Sequence, residues 1–252
     1  MNLQLEGRTA LVTGASSRGI GQAIAKGLAA EGVQLCIAAR RRHLLEQAAE
    51  EIVAAGGKRP HVVALDLMEE DGPARLVQEA IAKMGSVNIL VNAAGFGKAG
   101  WKLDTPEAEW RREFSLIFDN IRKTTLAAIP DMMKHGWGRV LNVTGHLEVH
   151  FFSGSATSKA AVHAFSKSLS CEVAQHGITV NCLSPGKIMS EQILTKYTEE
   201  QRRKTADEEI PMRRWGKPEE MANLAVFMAS PLSSYITGTI MHVDGGYRRY
   251  MF

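Results

Sequence analysis

The sequence is poor in cysteine and lacks tyrosine over most of its length. Its three cysteines, Cys36, Cys171 and Cys182, are scattered through apolar segments of a chain of 252 residues, with no CxxC or Cys/His ligand spacing. We therefore predict neither a bound metal nor a disulfide framework, and we expect buried, reduced thiols. Four tyrosines are present, and the first is Tyr197. Acid–base chemistry by a tyrosine is thus excluded for residues 1–196.

Excess charge and long apolar runs are also scarce. The chain has 30 Lys and Arg against 27 Asp and Glu, a formal net charge of +3. The one dense basic run, at 40–42, contains no interleaved aromatic residue, so we do not expect nucleic acid as a partner. No run reaches the roughly 18 apolar residues of a membrane-spanning helix, and the polar residues 1–8 do not resemble a signal peptide. We expect a soluble, cytoplasmic protein that acts on a small molecule and has no membrane partner.

Short apolar runs alternate with amphipathic stretches along the chain. Apolar residues recur at helical spacing between the runs, as at Ile20, Ile24 and Leu28. The runs lack polar alternation, as parallel strands buried on both faces require. The pattern predicts an α/β fold, a single domain over 1–252 with a Rossmann-like, doubly wound parallel sheet that binds its ligand at the strands' carboxyl ends. Seven strands are predicted, at 9–13, 34–38, 61–65, 89–92, 139–143, 179–183 and 240–243.

The C-terminal third departs from this alternation in two places. A charged helical stretch at 191–209 interrupts it, and we interpret residues of about 187–214 as a segment that covers the substrate. The chain ends in an aromatic tail at 247–252. Such an end typically packs on a partner subunit, and docking within the same chain is the alternative.

A glycine-rich loop follows the first predicted strand. It opens a predicted helix and reads Thr13-Gly14-Ala15-Ser16-Ser17-Arg18-Gly19-Ile20-Gly21. Glycines permit a tight turn and a close backbone approach, so that amide groups at the helix N-terminus can hold a pyrophosphate. Ordinary turn glycines are the alternative, but the position between a strand and a helix favours a dinucleotide site.

These motifs resemble those of the short-chain dehydrogenase/reductase family, whose signature is Thr-Gly-x-x-x-Gly-x-Gly. The resemblance covers essentially the whole chain, with further matches at Asp66, Asn92-Ala93-Ala94-Gly95, Lys159, Pro185-Gly186 and Val243-Asp244-Gly245-Gly246. It implies a nucleotide-binding oxidoreductase that assembles as a homotetramer. The cofactor contacts that we assign with it are Gly14, Ser16, Ser17, Arg18, Gly19, Ile20, Gly21, Arg40, Arg41, Asp66, Leu67, Asn92, Ala93, Ala94, Gly95, Lys159, Pro185, Gly186 and Ile188.

The end of the second predicted strand favours NADP(H) over NAD(H). At the end of this strand, an acidic residue usually forms a hydrogen bond with the ribose 2′-hydroxyl of NAD(H). Here the strand is followed by Arg40 and Arg41 instead. Cations suit a 2′-phosphate, and Arg18 in the glycine loop would supply another. The alternative is that the arginines are simply exposed to solvent at the start of the next helix. However, cations at a helix N-terminus interact unfavourably with the helix macrodipole. Asp66 could cap the next helix in a capping box with Glu69, besides contacting the adenine as the resemblance implies.

The resemblance implies four catalytic side chains, Asn, Ser, Tyr and Lys, of which this chain keeps only the lysine. Aligned on the neighbouring motifs, the four positions fall on Ile117, Gly145, Ser155 and Lys159. A serine hydroxyl is far less acidic than a phenol, whose pKa is about 10, so Ser155 is a poor proton donor near neutral pH. Losing general acid catalysis typically lowers a rate by about 10²- to 10⁴-fold. We therefore predict that hydride transfer by the usual scheme is severely impaired.

Two histidines in the loop after the fifth predicted strand could replace the missing acid. Histidine titrates near neutrality, so His146 or His150 could donate the proton, with Glu148 orienting either one. The alternative is that they are exposed loop residues or line the pocket. The loop lacks a fixed helical spacing of ligands, so we predict no metal site there.

Three functions fit this pattern. The first is an NADP(H)-dependent oxidoreductase that acts on a carbonyl or an alcohol through a non-standard proton donor. The second is a non-redox enzyme, such as a lyase, dehydratase or epimerase, whose nucleotide returns to its starting state. The third is a catalytically inactive NADP(H)-binding sensor or partner subunit. The retained binding residues allow all three.

Overall fold

Seven parallel strands form one sheet with helices on both faces. The computed structural model describes residues 2–95, 97, 100–145 and 152–249. Within these residues the strands hydrogen-bond in the order β3-β2-β1-β4-β5-β6-β7, and every neighbouring pair is parallel. This confirms the predicted doubly wound α/β fold. The strands are β1 (Thr9–Thr13), β2 (Gln34–Ala39), β3 (His61–Ala64), β4 (Ile89–Asn92), β5 (Gly138–Val143), β6 (Ile178–Pro185) and β7 (Ile240–Val243).

Two layers of helices cover the sheet. The helices are α1 (Ile20–Ala30), α2 (Arg42–Ala54), α3 (Gly72–Met84), α4 (Glu107–Phe114), α5 (Asn120–His135), α6 (Gly154–Val173), α7 (Glu191–Lys196), α8 (Glu199–Glu209) and α9 (Pro218–Ala229), and a π-helical turn (Ser115–Asp119) joins α4 to α5. α1, α2 and α9 share one apolar core with the sheet, where Ile24, Leu45 and Val226 are buried. α3, α5 and α6 contribute to a second core, which contains Val77 and Met132. β1 and β4 are buried along their whole length, which explains why they are mostly apolar and have polar residues only at their ends.

No helix in the described part of the chain is both long enough and apolar enough to cross a membrane.

The charged stretch at 191–209 forms two helices rather than one. α7 ends at Lys196, and α8 begins after Thr198. The Thr198 hydroxyl accepts a hydrogen bond from the N–H of Gln201 at 3.2 Å, and the Gln201 side chain accepts one from the N–H of Thr198 at 2.9 Å. This capping box starts a new helix. The polar and charged pattern continues across the break and does not reveal it.

The prediction of three buried thiols is wrong for one of them. Cys36 and Cys182 are buried in β2 and β6, and burial raises their thiol pKa values to about 12 and about 11. Cys171, by contrast, is exposed on α6. A central parallel strand is covered on both faces, whereas a helix always has an outward face. Apolar neighbours in the sequence therefore do not settle the burial of a helical cysteine.

A chain of buried side-chain hydrogen bonds connects β4, β5 and α6. Asn92 donates to Asn142 at 2.8 Å, and Asn142 donates to the hydroxyl of Ser166 at 2.9 Å. Asn92 also donates to Thr125 on α5 at 3.0 Å. All four residues are buried, so each bond satisfies a polar group that water does not reach. These bonds fix α6 against the end of β5, next to the predicted catalytic residues.

Candidate active site

The loops after β1 and β4 are in close contact at the carboxyl edge of the sheet. The hydroxyl of Thr13 accepts hydrogen bonds from the N–H groups of Ala93 and Ala94, both at 3.1 Å. Gly14 has a φ of +71°, and a Cβ there would lie 2.6 Å from the carbonyl oxygen of Ala93. Only glycine fits this conformation and this approach without strain. The strand order reverses between β1 and β4, which is where ligands of such folds bind.

The first turn of α1 packs directly on the glycine loop. A Cβ at Gly21 would lie 2.6 Å from the carbonyl oxygen of Gly14. Within the described residues no side chain caps this helix, and its first turn contains no acidic residue. Its N–H groups and the positive end of its dipole are therefore left to a negatively charged ligand. This arrangement fits the pyrophosphate of a dinucleotide.

A cavity of about 580 Å³ opens beside the glycine loop. Its lining includes many of the residues to which we assign cofactor contacts: Gly14, Ser16, Ser17, Arg40, Arg41, Asp66, Leu67, Ala93, Ala94 and Gly95. The volume and the mixed polar and apolar lining suit a small-molecule site. Met68, next to the assigned Leu67, also lines the cavity. Further lining residues that the sequence did not indicate come from distant segments and meet here only through folding: Arg112, Leu116, Asn120, Glu191 and Thr195.

The arginines of the predicted 2′-phosphate site fall into two groups. Arg40 and Arg41 line the cavity, are exposed, and form no ion pair with any other described residue. Arg18 pairs instead with Glu51 on α2 at 3.5 Å and lines a separate cavity. The loop holds four residues between its first two glycines where the family signature has three, and Arg18 is the last of the four. The structure thus brings two of the three cations to the cavity and turns the third towards α2.

Asp66 does not cap the following helix. α3 begins at Gly72, whereas the carboxylate of Asp66 accepts a hydrogen bond from the N–H of Met68 at 3.0 Å. Glu69, the expected partner in a capping box, pairs with Arg75 at 2.7 Å. The capping prediction is wrong because a turn separates β3 from α3. Asp66 lines the cavity instead, where it is available to a ligand.

Several residues assigned to the cofactor have other contacts in the structure. Asn92 uses its side chain to connect β4 with β5 and α5, as described above. Gly186 follows Pro185 at the end of β6, and a Cβ at Gly186 would lie 2.6 Å from the Cα of Asp244. Ile188 is buried and forms a short parallel bridge with Gly216. These contacts position the walls of the site and do not themselves require a cofactor.

Gly145, Ser155 and Lys159 lie together beside the first two turns of α6. A Cβ at Gly145 would lie 2.9 Å from Nζ of Lys159. Ser155 is buried in the first turn of the helix, one turn before Lys159. Burial lowers the pKa of Lys159, and the negative charge of Glu113 opposes that effect. The structure therefore assembles a buried hydroxyl and a lysine that burial makes less basic.

Ile117 and the loop histidines are the other positions considered for catalysis. Ile117 is buried in the π-helical turn, where it packs against Val162 and Cys182. Single π-helical turns are frequent at functional sites, but an apolar side chain there cannot hydrogen-bond a water molecule. His146 and His150, together with Glu148, lie outside the described residues.

A buried carboxyl group beside Ser155 was not predicted from the sequence. Glu113, near the end of α4, is 2% exposed, and no other acidic side chain among the described residues is buried. Its Oε1 lies 3.6 Å from the point that a Cβ at Gly97 would occupy, and the Cβ of Ser155 lies 2.8 Å from that same point. Helical spacing could have revealed it, because position 113 comes three residues after Trp110 and four before Ile117, both apolar.

Aromatic side chains gather beside the start of α6. Trp101 packs against Trp110 with ring centroids 4.6 Å apart, and Trp110 packs against Phe152 at 5.5 Å. A Cβ at Gly154 would overlap the ring of Trp101. These contacts hold the segment after β4 against α4 and α6. They form an apolar wall next to Ser155.

The segment at 187–214 reaches the cavity through α7. Glu191 lines the cavity, and its N–H donates to the carbonyl of Arg18 at 2.9 Å. At the start of the aromatic tail, the Tyr247 hydroxyl donates to Glu209 at 3.2 Å, so this residue docks within the chain. Residues 250–252 lie outside the described part. A substrate-covering role for the segment, packing of the tail on a partner subunit and the homotetramer stay predictions.

Known proteins with similar sequences include both reductases and dehydrogenases. Residues 14–248 match a family model described as enoyl-(acyl carrier protein) reductase. The chain is 34% identical over 252 residues to a 3-oxoacyl-acyl-carrier-protein reductase of Aquifex aeolicus, covering 98% of this chain and 99% of that protein. It is 35% identical over 249 residues to a galactitol 2-dehydrogenase (L-tagatose-forming) of Cereibacter sphaeroides, covering 97% and 96%. These similarities extend over nearly the whole of each chain.

A solved structure shows the same architecture. L-sorbose reductase from Gluconobacter frateurii, in complex with NADPH and L-sorbose, superposes with a TM-score of 0.94 at 31% sequence identity, covering 100% of both chains. The similarity therefore includes the sheet, both helical layers and the position of the crevice.

We predict that Gly21→Ala destabilises the protein by about 1–3 kcal/mol, because the added methyl group has no space against the carbonyl of Gly14. In an ordinary helix the same substitution would stabilise by up to about 1 kcal/mol. Urea denaturation measures the change in the free energy of unfolding. Gly95→Ala is a matched control, since Gly95 lines the same cavity and a Cβ there meets no heavy atom of the described residues within 4 Å. A Gly21→Ala protein as stable as the parent would contradict the close packing.

Proposed function

Because the chain belongs to the short-chain dehydrogenase/reductase family, we propose that it is an NADP(H)-dependent oxidoreductase that interconverts a carbonyl and an alcohol. We further propose that its proton donor is not a tyrosine. The observation that supports the proposal most is the cavity between the loops of β1 and β4. It brings the glycine loop, two arginines and Asp66 to one place.

The cavity residues suit NADP(H), which when bound would supply the hydride to the substrate carbon. We assign the pyrophosphate to the N–H groups at the start of α1, the 2′-phosphate to Arg40 and Arg41, and the adenine to Asp66 and Leu67. Guanidinium groups with no acidic partner in the described residues favour a phosphate over a hydroxyl, because they form charge-assisted hydrogen bonds with it. NADPH in the L-sorbose reductase complex supports the same preference.

The side chains at the family's catalytic positions support a divergent site. Ile117, Gly145 and Ser155 stand where the family has Asn, Ser and Tyr, and no tyrosine precedes Tyr197. We propose that Lys159 contacts the nicotinamide ribose. Because burial lowers its pKa, this lysine releases its proton more readily than an exposed one. The substrate oxygen then needs a neighbouring acid, for which the loop histidines are the candidates from the sequence.

Cofactor titrations test the binding assignment. We expect NADPH fluorescence to change on binding, and we expect Arg40→Ala to weaken NADPH binding by about tenfold or more, because charge-assisted hydrogen bonds contribute roughly 1.5–3 kcal/mol. NADH binding should change little. Arg42→Ala is the matched control, since Arg42 pairs with Glu46 on α2 at 3.6 Å. A flat NADPH titration would overturn the assignment of the cofactor, and equal losses for NADPH and NADH would overturn the role of Arg40.

A panel of carbonyl compounds tests the reaction. We expect at least one of them to oxidise NADPH in the presence of the protein, as followed by absorbance. If a loop histidine is the proton donor, His146→Ala or His150→Ala should lower this rate by about 10²- to 10⁴-fold and leave NADPH binding unchanged. Binding of NADPH without turnover of any carbonyl would instead favour a non-redox enzyme or an inactive NADP(H)-binding protein.

A further inference from the structure

Three aromatic side chains beside the start of α6 are not part of the apolar cores. Trp101, Trp110 and Phe152 form a row in which neighbouring rings are tilted against each other, with centroids 4.6 Å and 5.5 Å apart. None of the three belongs to the core clusters that the described residues form. We call this row the aromatic wall. Phe152 is its exposed end, since this residue is 48% exposed.

The start of α6 fixes the position of Phe152. The hydroxyl of Ser153, the residue that precedes the helix, accepts a hydrogen bond from the N–H of Ala156 at 3.2 Å. An apolar residue before such a cap often packs on the fourth residue of the helix. That residue is Thr157, which is exposed, and Phe152 packs instead on Trp110 of α4. The exposed surface of Phe152 is therefore not explained by capping of the helix.

The aromatic wall adjoins a position that the resemblance assigns to catalysis. The ring of Trp101 lies directly on Gly154, where an added Cβ would overlap it, and Ser155 is the next residue. Ser155 occupies the position of the family's tyrosine, which acts on the substrate oxygen. Because α6 follows β5, its start lies at the carboxyl edge of the sheet, where ligands of such folds bind. A substrate whose oxygen lies beside Ser155 is therefore bordered by the wall.

The exposed end of the wall is suited to another aromatic ring. Aromatic rings prefer tilted or edge-to-face packing with centroids about 4.5–7 Å apart, and the wall already has this arrangement. Elsewhere in the chain, cations cover aromatic rings, as Arg8 and Arg139 cover Trp137 at 4.1 Å and 4.3 Å from its centroid. No described cation lies over Phe152. Its exposed surface therefore favours an uncharged, apolar contact over a charged one.

We propose that the substrate is a carbonyl compound with an aromatic ring, and that Phe152 is the specificity-determining residue that packs against this ring. The inference rests on the proposed oxidoreductase function and names its substrate class. The ring of the substrate extends the row of rings at its exposed end, while the carbonyl group lies beside Ser155. This contact removes apolar surface of both Phe152 and the substrate from water, which stabilises the complex.

Three methyl ketones test the substrate class, because they share one carbonyl group and differ in a single substituent. They are 4-phenyl-2-butanone, 2-butanone and 4-hydroxy-2-butanone. The oxidation of NADPH, followed by absorbance, gives kcat/KM for each of them. We expect kcat/KM for the phenyl compound to exceed that for the other two by about tenfold or more, because burial of apolar surface and packing of aromatic rings both favour its binding.

Phe152→Ala removes the exposed end of the wall. We expect the ratio of kcat/KM for 4-phenyl-2-butanone to kcat/KM for 2-butanone to fall about tenfold. Phe152→Leu keeps an apolar side chain without the ring, so its ratio should lie between those of the parent and Phe152→Ala. A purely structural role would lower both values together and leave the ratio unchanged. Leu126→Ala on α5 is the matched control, since Leu126 is 45% exposed, and it should keep the parental ratio.

Saturation-transfer NMR follows binding of the ring without turnover. The probe is 4-phenyl-2-butanone, mixed with the protein and NADP⁺, which cannot reduce the ketone. In the parent and in Leu126→Ala, we expect the phenyl protons to receive more saturation than the methyl protons, because the ring contacts the wall. This difference should be lost in Phe152→Ala.

The outcomes separate the two proposals. Turnover of carbonyl compounds in which the phenyl group gives no advantage, or in which the hydroxyl compound is preferred, would overturn the substrate class and leave the oxidoreductase assignment intact. A ratio that Phe152→Ala leaves unchanged would overturn the role of Phe152. Ring contacts that depend on Phe152, without turnover of any carbonyl, would overturn the oxidoreductase assignment and support an aromatic ligand at the wall. A protein with neither turnover nor ring contacts would overturn both proposals.

Discussion

The contact between the loops after β1 and β4 is the constraint on which the rest of the site depends. Thr13 holds the N–H groups of Ala93 and Ala94, and Gly14 allows an approach of the two backbones that any Cβ would prevent. Since β1 and β4 are central strands in a close-packed core, their loops cannot separate without disrupting that core. The contact therefore fixes the start of α1 and the cavity that we assign to NADP(H).

The proposed proton transfer would depend on a different set of contacts. The buried hydrogen bonds from Asn92 through Asn142 to Ser166 place α6 on the sheet, and α6 carries Ser155 and Lys159. The proposed dinucleotide site, which the loops after β1 and β4 form, is built mainly from backbone groups and glycines, whereas the proposed proton transfer would depend on individual side chains. A chain of this fold can therefore replace the side chain that donates the proton and still keep the dinucleotide site.

The sequence was sufficient to predict the sheet and the position of the glycine loop at its carboxyl edge, because both depend on local patterns. The central parallel strands are mostly apolar, and the glycine loop lies between a strand and a helix. The orientation of Arg18 was not predictable, since it depends on Glu51 in another helix. Helical spacing from Trp110 and Ile117 could have indicated the burial of Glu113, but its neighbours on α6 and around Gly97 depend on the packing of distant segments. Such contacts between distant segments leave little trace in the order of residues.

The central claim is that Arg40 and Arg41 receive the 2′-phosphate of NADP(H) at the end of β2. Phosphorus NMR of NADPH bound to the protein tests it most directly, because the second pKa of a phosphate monoester is about 6 in water. Two adjacent guanidinium groups favour the dianion, so we predict a separate resonance for the bound 2′-phosphate whose titration is shifted to lower pH. A 2′-phosphate that titrates as in the free cofactor would contradict the claim.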